Sequence, residues 1–141
     1  MRAQVIANGD KTTYSGMGVE AIAAYNTSPG RERFHPKGRD NGYVLSFNKT
    51  RLYVSADTED VPEMRALKGI DIAFLCMNLP FTMDIKAAAS AVADFKPKVV
   101  VPYHYRGRGS GTQDPFAFAA LLEQEIQVRQ GNWYGKGAGR A

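Results

Sequence analysis

The fold is indicated most directly by residues 96–105, which read KPKVVVPYHY. Three consecutive valines followed by a proline are typical of a short strand that is covered on both faces, as in a parallel sheet. His104 comes just after the C-terminal end of this predicted strand, which spans Lys98 to Pro102. Because α/β folds bind ligands beyond the carboxyl ends of their strands, His104 is a candidate functional residue.

The segments around this strand predict alternating strands and helices. Before it come a short helix at 62–67 with Asp60 as a plausible cap, an apolar strand at 70–77 and an alanine-rich helix at 84–95. After it, Asp114 caps a helix that is predicted to run to about Gln124, and a short strand follows at 126–129. This order predicts a β-α-β-α-β arrangement with parallel strands.

The first third of the chain is predicted to form strands of the hairpin type. The predicted strands are 4–8, 18–25, 42–47 and 51–55, and a loop rich in glycine, proline and charge spans 26–41. The last two strands flank a turn at 48–50 and form a β-hairpin. The sequence therefore predicts an α/β domain with a mixed β-sheet and helices on one face.

Length and composition fit one ordinary globular domain. The chain has 141 residues, of which 44% are hydrophobic and 23% are charged. We expect a single domain at residues 1–134 and a disordered, glycine-rich tail at 135–141. Trp133 and Tyr134 are expected to close the hydrophobic core at its C-terminal end.

Charge and hydropathy exclude several classes of partner. The net charge is +4, but the cations are scattered, so we expect a solvated surface and no nucleic-acid partner. No apolar run approaches the ~18 residues needed to span a bilayer, and the N-terminus carries no signal-peptide core. We therefore expect a cytoplasmic protein without a membrane partner. The single cysteine, Cys76, lies in an apolar run and is expected to be a buried, inert thiol.

Three residues could hold a metal ion. Asp57 follows one predicted strand, His104 follows another, and His35 lies in the loop before a third. Carboxylate and imidazole are the usual ligands of zinc, iron and manganese. Each residue also has an ordinary explanation, since a histidine at a strand end is often a hydrogen-bonded structural residue and an aspartate before a threonine is often a helix cap.

The sequence around these residues resembles the metallo-β-lactamase superfamily, in particular its branch of bacterial metal-dependent hydrolases. The resemblance covers nearly the whole chain and rests on several ordered motifs. They are 24-AYNT-27, 34-FHPKG-38, 41-NGYVL-45, 52-LYVSADT-58, 77-MNLPFTM-83 and 96-KPKVVVPYHY-105.

This resemblance implies a fold and a set of metal ligands. The family fold is a four-layer αββα sandwich built from two similar halves, and this chain is expected to be the C-terminal half. By resemblance, Asp57 matches the aspartate that bridges two metals, His104 matches the final histidine, and His35 is the candidate for the middle histidine. The family usually has glycine before the aspartate; here it is Ala56, which fits only where the backbone needs no positive φ.

The family's HxHxDH motif does not occur in this sequence, which has two histidines in all. The first residue is expected to correspond to a point after that motif. We therefore expect a truncated metal-dependent hydrolase domain whose site needs a second copy of the chain or a partner half. The isolated monomer is expected to bind zinc weakly or not at all and to be inactive. A homodimer would also bury the sheet face that the other half covers in the family.

Two other interpretations stay open. The chain is alternatively a non-catalytic remnant that acts as a binding or oligomerisation module, or a fragment of a longer protein that starts at an internal methionine. The substrate is not predicted, because family members cleave several kinds of bond on one scaffold.

Overall fold

The computed structural model of the protein describes residues 4–122 and 124–134. The predicted disordered tail at 135–141 lies outside the described residues.

The described part of the chain contains one seven-stranded sheet in which spatial order follows sequence order. Strands β1 to β4 pair antiparallel, whereas β4 to β7 pair parallel, which confirms the predicted mixed sheet. The strands are β1 (Lys11–Tyr14), β2 (Met17–Ala24), β3 (Asp40–Phe47), β4 (Thr50–Val54), β5 (Ile72–Cys76), β6 (Val99–Tyr103) and β7 (Gln127–Val128).

The helices are short and follow the parallel strands. They are α1 (Pro62–Arg65), α2 (Ile85–Phe95) and α3 (Pro115–Ala119), with a 3₁₀ turn at Gly109–Gly111. Asp84 and Asp114 cap α2 and α3 by accepting hydrogen bonds from backbone amides of the first turn. The predicted cap of α1 is wrong, since Val61 is its N-cap and Asp60 instead forms an ion pair with Arg65. Among the described residues, no helix is both long and apolar enough to cross a membrane.

The first strand lies later in the chain than the sequence suggests. Residues 4–8 form no strand, because the side chain of Asp10 accepts the Ala7 amide hydrogen bond and turns the backbone. The strand that does form, β1, is polar and joins β2 through Ser15 and Gly16, which both have positive φ. Two such residues make the tight turn that suits the twist of a hairpin. The predicted hairpin of β3 and β4 is confirmed, with Asn48 and Lys49 in its turn.

One face of the sheet is buried under the helices. Val44, Tyr53, Ala73 and Val100 are lateral neighbours on this face, and each is at most 1% exposed. They pack in one core cluster with side chains from all three helices: Met64, Val92, Phe95 and Phe118. This confirms that the helices lie on one face.

The opposite face, which we call the open sheet face, is apolar and only partly covered. Two rows of side chains cross this face, each with one residue from β3, β4, β5 and β6, and all of them are partly exposed. The rows are Leu45, Leu52, Ile72 and Val99, and Tyr43, Val54, Phe74 and Val101. Trp133 lies on this face, with its ring against Phe74 and Tyr103, and is 47% exposed. The expectation that Trp133 closes the core is therefore wrong, because the core lies on the helix side of the sheet.

A buried carboxylate anchors the loop between β2 and β3. Glu59 accepts hydrogen bonds from the amides of Thr27 and Ser28, both at 2.8 Å, and forms an ion pair with Arg31 at 2.9 Å. Burial by itself raises the pKa of Glu59, but these hydrogen bonds outweigh it and hold the pKa below the ordinary value of 4.5. The loop that carries His35 is thus fixed at its start by one charged side chain.

The backbone is strained at two strand ends. Ala56 has a φ of 54° and His104 a φ of 48°, a region that costs a non-glycine residue about 1–2 kcal/mol. Alanine thus occupies this position although its φ is positive, so the condition stated from the sequence, that alanine fits only without positive φ, is wrong. Each strained residue has its carbonyl held by a buried neighbour: Ser55 donates to Ala56 at 2.8 Å, and Asn78 donates to His104 at 2.8 Å.

Replacing Ala56 by glycine should stabilise the protein, because glycine adopts positive φ without the clash of a Cβ. We expect Ala56→Gly to raise the free energy of unfolding by roughly 0.5–1 kcal/mol in urea denaturation. The matched control is Ala66→Gly, an exposed alanine with a φ of −79°, which should lower it by roughly 0.5–1 kcal/mol. Equal losses in both variants would show that Ala56 carries no strain.

The Glu59 anchor should make stability depend on pH. Because its folded pKa is lowered, its stabilisation is complete above the unfolded pKa and is lost as pH falls through the folded pKa. We expect Glu59→Gln to cost roughly 2–3 kcal/mol at pH 7, and its melting temperature to approach that of the wild type below about pH 4. The control is the exposed Glu32→Gln. A constant difference between Glu59→Gln and wild type from pH 7 to pH 3 would contradict this role.

Candidate metal centre

The parallel register of the central strands brings Asp57 and His104 to the same level of the sheet. Val54 pairs with Phe74, and Phe74 pairs with Val101, so these three residues are level across β4, β5 and β6. Asp57 and His104 each come three residues later, one after Val54 and the other after Val101. Both therefore lie beyond the carboxyl ends of the strands, the edge predicted from the sequence.

The two strained turns then bring the side chains of Asp57 and His104 together. Two strand spacings separate β4 from β6, which amounts to about 9.5 Å. The His104 Nε2 atom is nevertheless only 3.5 Å from Oδ2 of Asp57. The positive φ angles at Ala56 and His104 redirect the chain where each residue leaves its strand. Strained backbone of this kind clusters at functional sites.

His35 reaches the same carboxylate from the loop before β3. Its Nε2 atom is 3.6 Å from Oδ2 of Asp57, and its carbonyl accepts the Asn26 amide hydrogen bond at 2.8 Å. The side chain of Asn26 also binds the carbonyls of Arg31 and Phe81, which fixes the loop against the segment after β5. Each histidine proposed from the sequence as a ligand thus lies near the same oxygen atom, Oδ2 of Asp57.

The separations of these donor atoms fit a metal ion better than a direct hydrogen bond. A hydrogen bond from nitrogen to oxygen spans about 2.7–3.2 Å, whereas the two distances here are 3.5 and 3.6 Å. Ligands bound tetrahedrally at about 2.0–2.2 Å lie about 3.4 Å from one another. Two imidazoles and a carboxylate also form a donor set that suits zinc. The spacing within each donor pair therefore fits a metal ion beside Asp57.

The donor atoms of the described residues do not complete a metal site on their own. In the described ranges 4–122 and 124–134, no three or more His, Cys, Asp or Glu side chains are grouped so that they could hold an ion. The arrangement is instead two donor pairs, His35 with Asp57 and His104 with Asp57, that share one carboxylate. Cys76 is not a further ligand, because it is buried in the core and burial raises the pKa of its thiol to about 11.

Asp40 and Arg39 lie beside His35 and were not predicted from the sequence. The His35 Nδ1 atom is 3.0 Å from Oδ2 of Asp40, and Arg39 donates to both oxygens of that carboxylate. The hydrogen bonds from Arg39 lower the pKa of Asp40, so the carboxylate is ionised at neutral pH. These three residues line an open depression of about 500 Å³, together with Asn41, Tyr43, Ala56 and Asp57. No spacing rule connects an aspartate at the start of a strand to a histidine five residues earlier.

Comparison with known proteins gives the family. A family model described as a beta-lactamase superfamily domain matches residues 1–105. A metal-dependent hydrolase of the UPF0173 group from Thermococcus kodakarensis is 32% identical over 125 residues, which cover 86% of this chain and 55% of the relative. A second UPF0173 metal-dependent hydrolase, from Nanoarchaeum equitans, is 36% identical over 94 residues, covering 64% of this chain and 43% of the relative.

A solved structure agrees with this assignment. The fold superposes on that of a candidate metal-dependent hydrolase from Parabacteroides distasonis with a TM-score of 0.84 and 46% sequence identity, covering 92% of this chain and 57% of that one. The chain thus spans about half the length of the relatives that it matches. The family model, the curated relatives and the solved structure agree, and the chain belongs to the metallo-β-lactamase superfamily.

Proposed function

We propose that this chain is part of a metal-dependent hydrolase and that Asp57, His104 and His35 are its contribution to a zinc centre. The observation that carries the proposal is the approach of both imidazole Nε2 atoms to Oδ2 of Asp57, at 3.5 and 3.6 Å. The relatives from Nanoarchaeum equitans and Thermococcus kodakarensis are metal-dependent hydrolases, which supports the same reaction class.

The chemistry follows from the donor set. A bound zinc ion supplies a Lewis acid that lowers the pKa of a coordinated water towards neutrality. Asp57 contributes the negative charge that compensates the cation, and its position between the two imidazoles suits it to bridge two sites. Neutral His35 and His104 each offer one ring nitrogen and leave the other for hydrogen bonding.

The donors of one chain do not complete a hydrolytic site. Catalytic zinc takes about three protein ligands and keeps one position open for water. If two metals were bound, His35 and Asp57 would hold one, and His104 and Asp57 would hold the other, so each ion would have two ligands from this chain. Both histidines of the sequence are already used, so further imidazole ligands must come from another segment of polypeptide.

We propose a second copy of this chain as the source of those ligands, packed on the open sheet face. Val54 and Val101 belong to that face, and each precedes a candidate ligand by three residues. A layer that covers the face therefore lies next to Asp57 and His104. Contiguous apolar surface of this kind marks an interface. If the copies associate without binding metal, the chain is an oligomerisation module instead.

Metal analysis tests the ligands. We expect purified protein to hold at least about 0.5 zinc per chain by mass spectrometry, and Asp57→Asn and His104→Ala to lose it while keeping the fold by circular dichroism. The matched control is Asp94→Asn, which removes a half-exposed carboxylate on α2 that pairs with Arg65. Zinc that survives Asp57→Asn would contradict the proposed centre.

Light scattering tests the interface. A lysine at Val54 places a charge in the middle of the open sheet face, so Val54→Lys should convert the dimer to a monomer and reduce bound zinc with it. Lys49→Glu, in the exposed hairpin turn, should change neither property. A wild-type chain that stays monomeric at micromolar concentration while holding stoichiometric zinc would exclude the second copy.

A further inference from the structure

His35 is contacted at both of its ring nitrogens by carboxylates. Nδ1 lies 3.0 Å from Oδ2 of Asp40, and Nε2 lies 3.6 Å from Oδ2 of Asp57. An ionised carboxylate only accepts hydrogen bonds, so the shorter contact requires a proton on Nδ1. In the neutral ring this leaves the lone pair on Nε2, the nitrogen that faces Asp57.

Asp40 is held in place independently of His35. Arg39 donates from Nε to Oδ1 at 2.9 Å and from a terminal nitrogen to Oδ2 at 2.8 Å, which makes a two-pronged ion pair. Asp40 is also the first residue of β3, where it pairs with Ala24 of β2. His35 lies in a loop, so the orientation of its ring is set by a carboxylate that is fixed to the sheet.

A competing contact on the same ring nitrogen is weaker. A terminal nitrogen of Arg39 lies 3.5 Å from Nδ1 of His35, and a donor there would favour the opposite tautomer. That distance is outside the usual range of a hydrogen bond, while 3.0 Å to Asp40 is within it. The same guanidinium is also engaged by the carbonyl of Phe34 at 2.6 Å. Asp40 therefore decides the tautomer.

We propose that Asp40, clamped by Arg39, is a positioning residue that fixes the tautomer and ring orientation of His35, which on the proposed function is a metal ligand. A carboxylate behind a ligating imidazole orients the ring and makes it a stronger donor. Asp40 itself does not bind the metal; it acts through His35.

The tautomer can be read without any metal. In two-bond proton–nitrogen spectra of the metal-free protein, recorded where the ring is neutral, wild-type His35 should show a proton on Nδ1. Asp40→Ala removes the acceptor and leaves Arg39 as the nearest donor, so the proton should move to Nε2. A His104→Gln background separates the signals of the two histidines, and Asp94→Ala is the matched control.

Zinc affinity gives the second readout. Asp40→Ala should weaken zinc binding by about 10- to 100-fold, Asp40→Asn by less, and Asp94→Ala not at all. If Asp40→Ala does not fold, Asp40→Asn carries the test in both measurements. An unchanged tautomer together with unchanged zinc affinity would overturn the role of Asp40. A wild-type chain that binds no zinc, but whose His35 tautomer still depends on Asp40, would contradict the proposed metal centre and still support the contact by which Asp40 orients His35.

Discussion

The candidate centre depends on the parallel register of β4, β5 and β6. That register makes Val54 and Val101 level with each other. Asp57 and His104 each follow by three residues, so both lie at the same level beyond the carboxyl ends of the strands. Register alone leaves the two side chains on strands that are not neighbours. The positive φ angles at Ala56 and His104 close the remaining gap, so the geometry of the site is set by backbone conformation as much as by side chains.

The strain at this edge persists because buried polar groups hold it. Ser55 and Asn78 are both fully buried, and each donates to the carbonyl of one strained residue. The loop that bears His35 is held in a different way, through Glu59 at its start. The two supports are connected, because Arg31, the ion-pair partner of Glu59, donates to the carbonyl of Thr82, and the Thr82 hydroxyl accepts from the amide of Asn78.

Much of the fold could be predicted from the sequence because its strongest signals are local. The valine run of β6, the hairpin of β3 and β4 and the alanine-rich α2 formed as their patterns indicate. The failures came where a distant partner decided the outcome. Residues 4–8 look apolar enough for a strand, but the Asp10 side chain accepts a hydrogen bond from the Ala7 amide and turns the backbone there. The polar β1 forms instead, because a two-residue turn pairs it with β2.

The candidate ligands could be predicted for similar reasons, whereas the residues that hold them in position could not. Asp57 and His104 follow strands that the sequence already predicts, and the ends of parallel strands meet at one edge. His35 was placed by resemblance, since nothing in its loop indicates how the chain folds back. Asp40 escaped notice because its function depends on the approach of a ring from that loop. The family's glycine before the aspartate raised the question of a positive φ at Ala56, but alanine itself favours negative φ, so the sequence could not show that the strained conformation is kept.

The incomplete set of metal ligands and the open sheet face are adjacent in the structure. Within residues 4–122 and 124–134, the donor pairs around Asp57 have no further ligands and the open sheet face is only partly covered. Val54 and Val101 connect the two features. On the proposed function, the second copy that covers the face also brings its donors to the edge. A metal held by both layers then binds only the associated form, so its binding free energy adds to the stability of the association. Metal binding and association of the two copies are then one coupled equilibrium. A dimer without metal and a monomer with metal are both less stable than the complete centre.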